Sequence, residues 1–137
     1  MTDRLLLDTC AAIWLMNGDR MDYAAIDAIE SSAETGNLNV SAFTAWEIAT
    51  LAARGRISIA MPPEVWFDRL VALSGATVIE ASAKILIRSA QLPGIPPKDP
   101  ADRIILSTAR EDGLVIVTRD KCLLRYGREG HVGVMSC

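Results

Sequence analysis

Leu5-Leu6-Leu7-Asp8-Thr9-Cys10 is an apolar run that stops on a carboxylate and a hydroxyl, and Val115-Ile116-Val117-Thr118-Arg119-Asp120 repeats the arrangement late in the chain. In open α/β folds, groups at the carboxyl ends of buried strands face the crevice where ligands bind. Asp8 and Asp120 are therefore candidates for chemistry, although each also suits the N-cap of the helix that follows it. Glu47 is a third candidate. It has Phe43 and Leu51 one turn away on either side, Trp46 beside it, Thr44 and Thr50 at i−3 and i+3, and no basic residue within a turn. A carboxylate in an apolar stripe is costly unless something neutralises it, the alternative being a structural Glu that snorkels to water. Asp102 aligns with Ile105, Leu106 and Ala109, whereas Arg103, Ser107 and Arg110 run along another face. Asp102 thus looks inward, with helix-dipole complementarity as its structural alternative, and Asp99, at the N-cap, looks outward.

Four carboxylates facing one another would repel and take up protons more readily, and a divalent cation resolves that conflict. Oxygen-only ligands, with neither a histidine nor a cysteine pair, point to Mg²⁺ or Mn²⁺ rather than zinc. Such ions commonly act on phosphoryl groups. Other chemistries fit less well. His131 is the only histidine and lies in a Gly-rich turn, a poor position for a Ser-His-Asp relay. Cys10, Cys122 and Cys137 form no C-x-x-C pair and read as small hydrophobes plus a free terminal thiol, without a disulfide framework. A receiver domain needs an acidic pair after its first strand and a late strand-end lysine, but Leu7 precedes Asp8 and Lys121 lies beyond Asp120. A D-x-D phosphohydrolase would need an acid where Cys10 stands.

The elements that must position these acids alternate along the chain. Strands are predicted at Arg4 to Leu7, Leu38 to Ser41, Ala76 to Ile79, Leu114 to Val117 and Val132 to Met135, the last at a sheet edge. Helices are predicted at Thr9 to Met16, Asp22 to Thr35, Ala42 to Arg54, Glu64 to Leu73, Ala81 to Gln91, Pro100 to Asp112 and Lys121 to Tyr126. Leu92 to Pro100 holds four of the six prolines and reads as an extended loop. Strands alternating with helices imply an α/β fold with a mainly parallel sheet of about five strands and right-handed crossovers. At 137 residues the chain fits a single domain, 1–137.

Half the residues are hydrophobic and mean hydropathy is +0.24, yet no run approaches the roughly 18 apolar residues of a membrane span. With Arg4 and only three leucines before Asp8, the N-terminus does not resemble a targeting peptide, and a cytoplasmic protein is expected. Trp14, Trp46, Leu51, Trp66 and Phe67 exceed what one small core requires, which predicts a homodimer and a groove for a partner. Net charge is −3, against a nucleic-acid partner taken alone. Its distribution is uneven. Lys98, Arg103, Arg110, Arg119, Lys121, Arg125 and Arg128 cluster in the last third and would form a positive rim once a metal neutralised the acids.

LLLDT, SAFTAWEIA, DPADRIILSTA and VTRD, in this order, together resemble the PIN-domain ribonucleases, and within them the VapC-type toxins of bacterial toxin-antitoxin pairs. The resemblance runs from Leu5 to about Val134. It implies a three-layer α/β/α sandwich and a Mg²⁺- or Mn²⁺-dependent endoribonuclease that leaves 5′-phosphate and 3′-hydroxyl ends. It also implies neutralisation by a small cognate antitoxin. Matched by motif, Asp8, Glu47, Asp102 and Asp120 would bind metal, Thr9 and Thr118 would orient acids or water, and Arg103 and Arg119 would hold RNA phosphates. The alternative is a non-catalytic module of the same fold that binds a protein partner or nucleic acid.

Overall fold

The computed structural model describes residues 3–137. Five strands, β1 (Leu5–Leu7), β2 (Leu38–Ser41), β3 (Thr77–Ile79), β4 (Val115–Thr118) and β5 (Gly133–Ser136), form one sheet in the order β3-β2-β1-β4-β5. Every pairing is parallel, with Leu6 opposite Asn39 on one side and Ile116 on the other. Around the sheet lie α1 (Thr9–Asn17), α2 (Tyr23–Glu34), α3 (Ala42–Ala53), α4 (Pro63–Ser74), α5 (Ala83–Ser89), α6 (Pro100–Asp112) and α7 (Lys121–Arg128).

The layering follows from the two-residue period of a strand, which sends successive side chains to opposite faces. Leu5 and Leu7 enter one core with Ala11, Ala25, Ile29, Ile48, Trp66 and Leu70, from α1 to α4. Leu6 enters the other with Ile105, Leu106, Leu123 and Tyr126, from α6 and α7. Each buried leucine contributes about 1.5–3 kcal/mol over its exposed state, so a continuous Leu5–Leu7 run is stable only where both faces are covered. The result is the α/β/α sandwich. On the second face α7 lies close to β5, and a side chain at Gly127 would strike the Val134 methyls.

Three sequence expectations are corrected. The helix expected at Ala81 to Gln91 is only Ala83–Ser89, because the Ser82 hydroxyl accepts from the Ile85 amide and starts it late. Asp99 occupies the N-cap of α6, but its side chain makes no capping bond. The cysteine reading is inverted: Cys137 is buried, while Cys10 and Cys122 are exposed, because the Cys137 amide bonds the Thr118 oxygen and draws that residue into the first core. Among the described residues, no helix is long and apolar enough to cross a membrane.

Candidate active site

The strand order sets where the site lies. The chain builds outward from β1 through β2 to β3, then returns to place β4 on the other side of β1. At such a reversal the loops leaving adjacent strands diverge and open a crevice at their carboxyl ends. Asp8 follows β1 and Asp120 lies just past β4. They reach the same cleft as Glu47 from α3 and Asp102 from the first turn of α6, together with Thr9, Cys10, Trp14, Ile105 and Arg119. All four expected acids therefore line one cleft.

Each acid is held differently. Asp8, only 7% exposed, caps α1: Oδ1 accepts from the Ala11 amide at 2.7 Å, while Oδ2 accepts from the Thr118 hydroxyl. Its capping and cleft-lining positions thus coexist. Thr118, fully buried, also accepts from the Asp120 amide at 3.0 Å, so one hydroxyl ties the two strand ends together. Asp120 caps α7 through Oδ1, which accepts from the Cys122 and Leu123 amides. Glu47 Oε1 accepts from the Thr9 hydroxyl at 2.6 Å, and that hydroxyl also bonds Thr44. Asp102 accepts no hydrogen bond from any described side chain.

The electrostatics reflect crowding. Burial raises the Asp8 carboxyl above its usual range, against the pull of Thr118 and Ala11. Burial also raises Glu47, opposed by Thr9 and reinforced by the charges of Asp99 and Asp8. Asp102 is pushed up to about 7 by burial and by Asp120, Asp99, Glu47 and Asp8. Burial, reinforced by the charges of Asp8, Glu47, Asp120 and Asp102, pushes the Cys10 thiol up to about 11, which keeps it un-ionised at neutral pH and removes it as a nucleophile.

Asp99 stands at the N-cap of α6 and faces outward, as the sequence reading had it, but that reading gave it no part in the site. It is exposed, yet its charge acts on both Glu47 and Asp102. The usable signal was its spacing, since an N-cap lies three residues from N3 and so on nearly the same side of the helix. Arg103 does not line the cleft, and its Nε donates to the Pro97 oxygen at 2.6 Å, pinning the proline-rich loop. The tryptophans separate: Trp66 is buried, Trp14 is partly buried, and Trp46 is 58% exposed and stacked on Phe43.

The donor set suits a hard divalent cation. Among the described residues, no three acidic, histidine or cysteine side chains already converge on one point. Mg²⁺ does not require such a cage, since it keeps several waters and takes one or two carboxylates plus substrate phosphates. The raised Asp102, without a hydrogen-bond donor of its own, is the acid such an ion would relieve most. Replacing the hydroxyl behind the cleft tests the framework: Thr118→Val keeps the shape but strips a donor from Asp8 and an acceptor from the Asp120 amide. We expect a loss of about 1–3 kcal/mol in urea unfolding. A midpoint equal to wild type would show that the bridge adds no stability.

Comparison with known proteins places the chain in a family. The PIN domain pattern matches residues 5–129. Ribonuclease VapC22 of Mycobacterium tuberculosis is 35% identical over 123 residues, spanning 90% of this chain and 91% of that protein. DNA-bound VapBC from Salmonella typhimurium superposes with a TM-score of 0.68 at 20% identity, covering 98% of each chain. A toxin-antitoxin complex from Klebsiella pneumoniae does so with a TM-score of 0.65 at 26% identity, covering 96% of this chain and 95% of that one. On the match of the PIN domain pattern over residues 5–129 and its 35% identity to that ribonuclease, the chain belongs to the PIN-domain family.

Proposed function

We propose that this chain, one domain over 1–137, is a Mg²⁺- or Mn²⁺-dependent endoribonuclease and the toxin of a type II toxin-antitoxin pair, acting in the cytoplasm. The observation that carries the proposal is the meeting of Asp8, Glu47, Asp102 and Asp120, from separate elements, in one cleft at the sheet's reversal point. These four acids would hold the metal. A bound Mg²⁺ or Mn²⁺ supplies a polarised phosphate and a water of lowered pKa. Thr118 steadies Asp8 and Thr9 steadies Glu47, so that neither carboxylate must reorganise as charge develops. Arg119, on the cleft wall, and Arg103, beside the proline-rich loop, are the proposed contacts to RNA phosphates. Water attack on phosphorus, with the 3′-oxygen leaving, gives 5′-phosphate and 3′-hydroxyl ends.

The test is metal removal and return. Protein stripped by chelator should leave total RNA intact, and micromolar to millimolar Mn²⁺ or Mg²⁺ should restore cutting. Growth arrest on expression that persists without any metal-dependent cutting would favour the non-catalytic alternative.

Two protein partners complete the proposal. An open apolar groove between α1, α2 and α4, lined by Leu15, Met16, Ile29, Leu70 and Leu73 with Glu30 and Glu34 beside them, suits an apolar antitoxin segment carrying basic residues. Exposed Trp46 on α3 and Ile87 on α5 support a homodimer, since large apolar side chains in water favour burial against a second copy. Light scattering should give twice the chain mass, and a Trp46→Glu variant half of that. A wild-type monomer would sink the dimer.

A further inference from the structure

Arg119 is the basic residue on the wall of the acidic cleft, and three contacts hold it there. Its Nη2 donates to the main-chain oxygens of Arg20 and Cys137, each at 3.0 Å. Its guanidinium carbon lies 3.9 Å from the centroid of the Trp14 ring. Trp14 is itself packed against the first core and lines the cleft. An exposed arginine normally samples many rotamers, and ordering it on binding costs affinity. Here three contacts favour one rotamer before any ligand arrives. Only Nη2 is committed: among the described residues, Nε and Nη1 have no acceptor, which leaves part of the planar fork for an anion. The charge also reaches Asp8, which places it beside the acids.

The cleft otherwise repels a polyanion, so one preorganised cation on its wall decides where a phosphate is seated. We propose that Trp14, with the main-chain oxygens of Arg20 and Cys137, is a positioning device that fixes Arg119 as a phosphate clamp seating single-stranded RNA beside the four acids. The clamp rests on RNA being the substrate proposed above. Trp14 acts here through Arg119 rather than by stacking on a base, because the guanidinium covers its ring. Arg103 is no substitute at this position, since it does not line the cleft.

The experiment follows a fluorescein-labelled, mixed-sequence single-stranded RNA by stopped-flow anisotropy in Mn²⁺, across salt concentrations, and then follows cleavage in the same mixture. Arg119→Gln should bind about tenfold more weakly at low salt, with a salt slope shallower by about 0.7, the loss of one single-strand phosphate contact. Arg119→Lys should also bind weakly, because an ammonium cannot hold both carbonyls and present a fork. Trp14→Met should weaken binding severalfold although the charge remains, and Trp14→Phe, which keeps a ring face, should restore most of it. Combining Arg119→Gln with Trp14→Met should be no worse than Arg119→Gln alone.

The clamp is overturned if Arg119→Lys binds like wild type, if the two effects add, or if wild type binds no RNA. Should Trp14→Met fail to fold in a melting curve, the Arg119→Lys and Trp14→Phe arms decide. Intact, clamp-dependent binding without any cleavage would overturn the nuclease reading and leave the clamp standing. Cleavage unaffected by all four single variants would do the reverse.

Discussion

Asp8→Asn should abolish metal-dependent RNA cleavage while leaving the fold intact, with kcat/KM falling at least about a thousandfold, or roughly 4 kcal/mol of transition-state stabilisation. The two halves of that expectation come from the two oxygens of one side chain. Asparagine is as good an N-cap as aspartate, so its carbonyl oxygen can still accept from the Ala11 amide that Oδ1 now holds. What disappears is the charge, and with it the acceptor that Thr118 bonds through Oδ2. A neutral amide at the most buried of the four acids weakens the hold on a divalent cation, and no neighbouring acid shares its position at the end of β1. Thermal unfolding would be read alongside multiple-turnover kinetics in Mn²⁺. A variant that melts like wild type and keeps more than a tenth of its activity would remove Asp8 from the chemistry.

Asp102→Asn should do the opposite to stability. The Asp102 carboxyl stands at about 7 in the folded chain against an ordinary value of 3.8, so its ionised form is disfavoured by folding. A carboxyl raised in this way leaves stability intact below its unfolded pKa and removes it progressively as pH rises toward the folded value. Metal-free wild type should therefore be more stable at pH 4.5 than at pH 8, as far as this group is concerned. The side chain is partly exposed, so solvent screening reduces the effect to about 1–2 kcal/mol, or several degrees in Tm. The Asn variant should melt higher than wild type at pH 8 without metal and show a weaker pH dependence. It should also gain less from Mn²⁺, since the ion would no longer relieve that repulsion. A variant no more stable at pH 8, or stabilised by Mn²⁺ as much as wild type, would show that Asp102 is not a strained, metal-facing acid.

Both expectations describe one design. Burial disfavours the carboxylates of Asp8, Glu47 and Asp102 in the metal-free fold, and the supporting hydroxyls offset part of that cost for the first two. Thr118 and Thr9 each donate to an acid that burial would otherwise protonate more readily.

Much of this was legible along the chain. Leu5 to Asp8 states a doubly buried strand with an acid at its end, and the absence of a basic residue near Glu47 marks a carboxylate that needs a partner elsewhere. Those signals are local: they depend on a strand's period, a helix's turn and the cost of burying charge. Asp99 escaped because its exposure follows from helix periodicity, whereas its influence on Glu47 depends on how α6 packs against α3. Trp46 and Trp66 look alike in an apolar helix, yet one is solvent-exposed and the other buried, since only packing reveals which face of each helix meets a neighbour.

The amino-acid sequence by itself determined the parallel α/β class and singled out the four acids that line the cleft, because residue type and spacing suffice for each. Only the tertiary structure decided that β4 returns beside β1, so that acids separated by a hundred residues share a cleft. It also decided that Thr118 bridges Asp8 to Asp120 and that Arg119 is pinned by Trp14 and two distant carbonyls. These contacts join residues remote in the chain, and no local pattern encodes them; they exist because strand order and helix packing bring their partners within hydrogen-bonding distance.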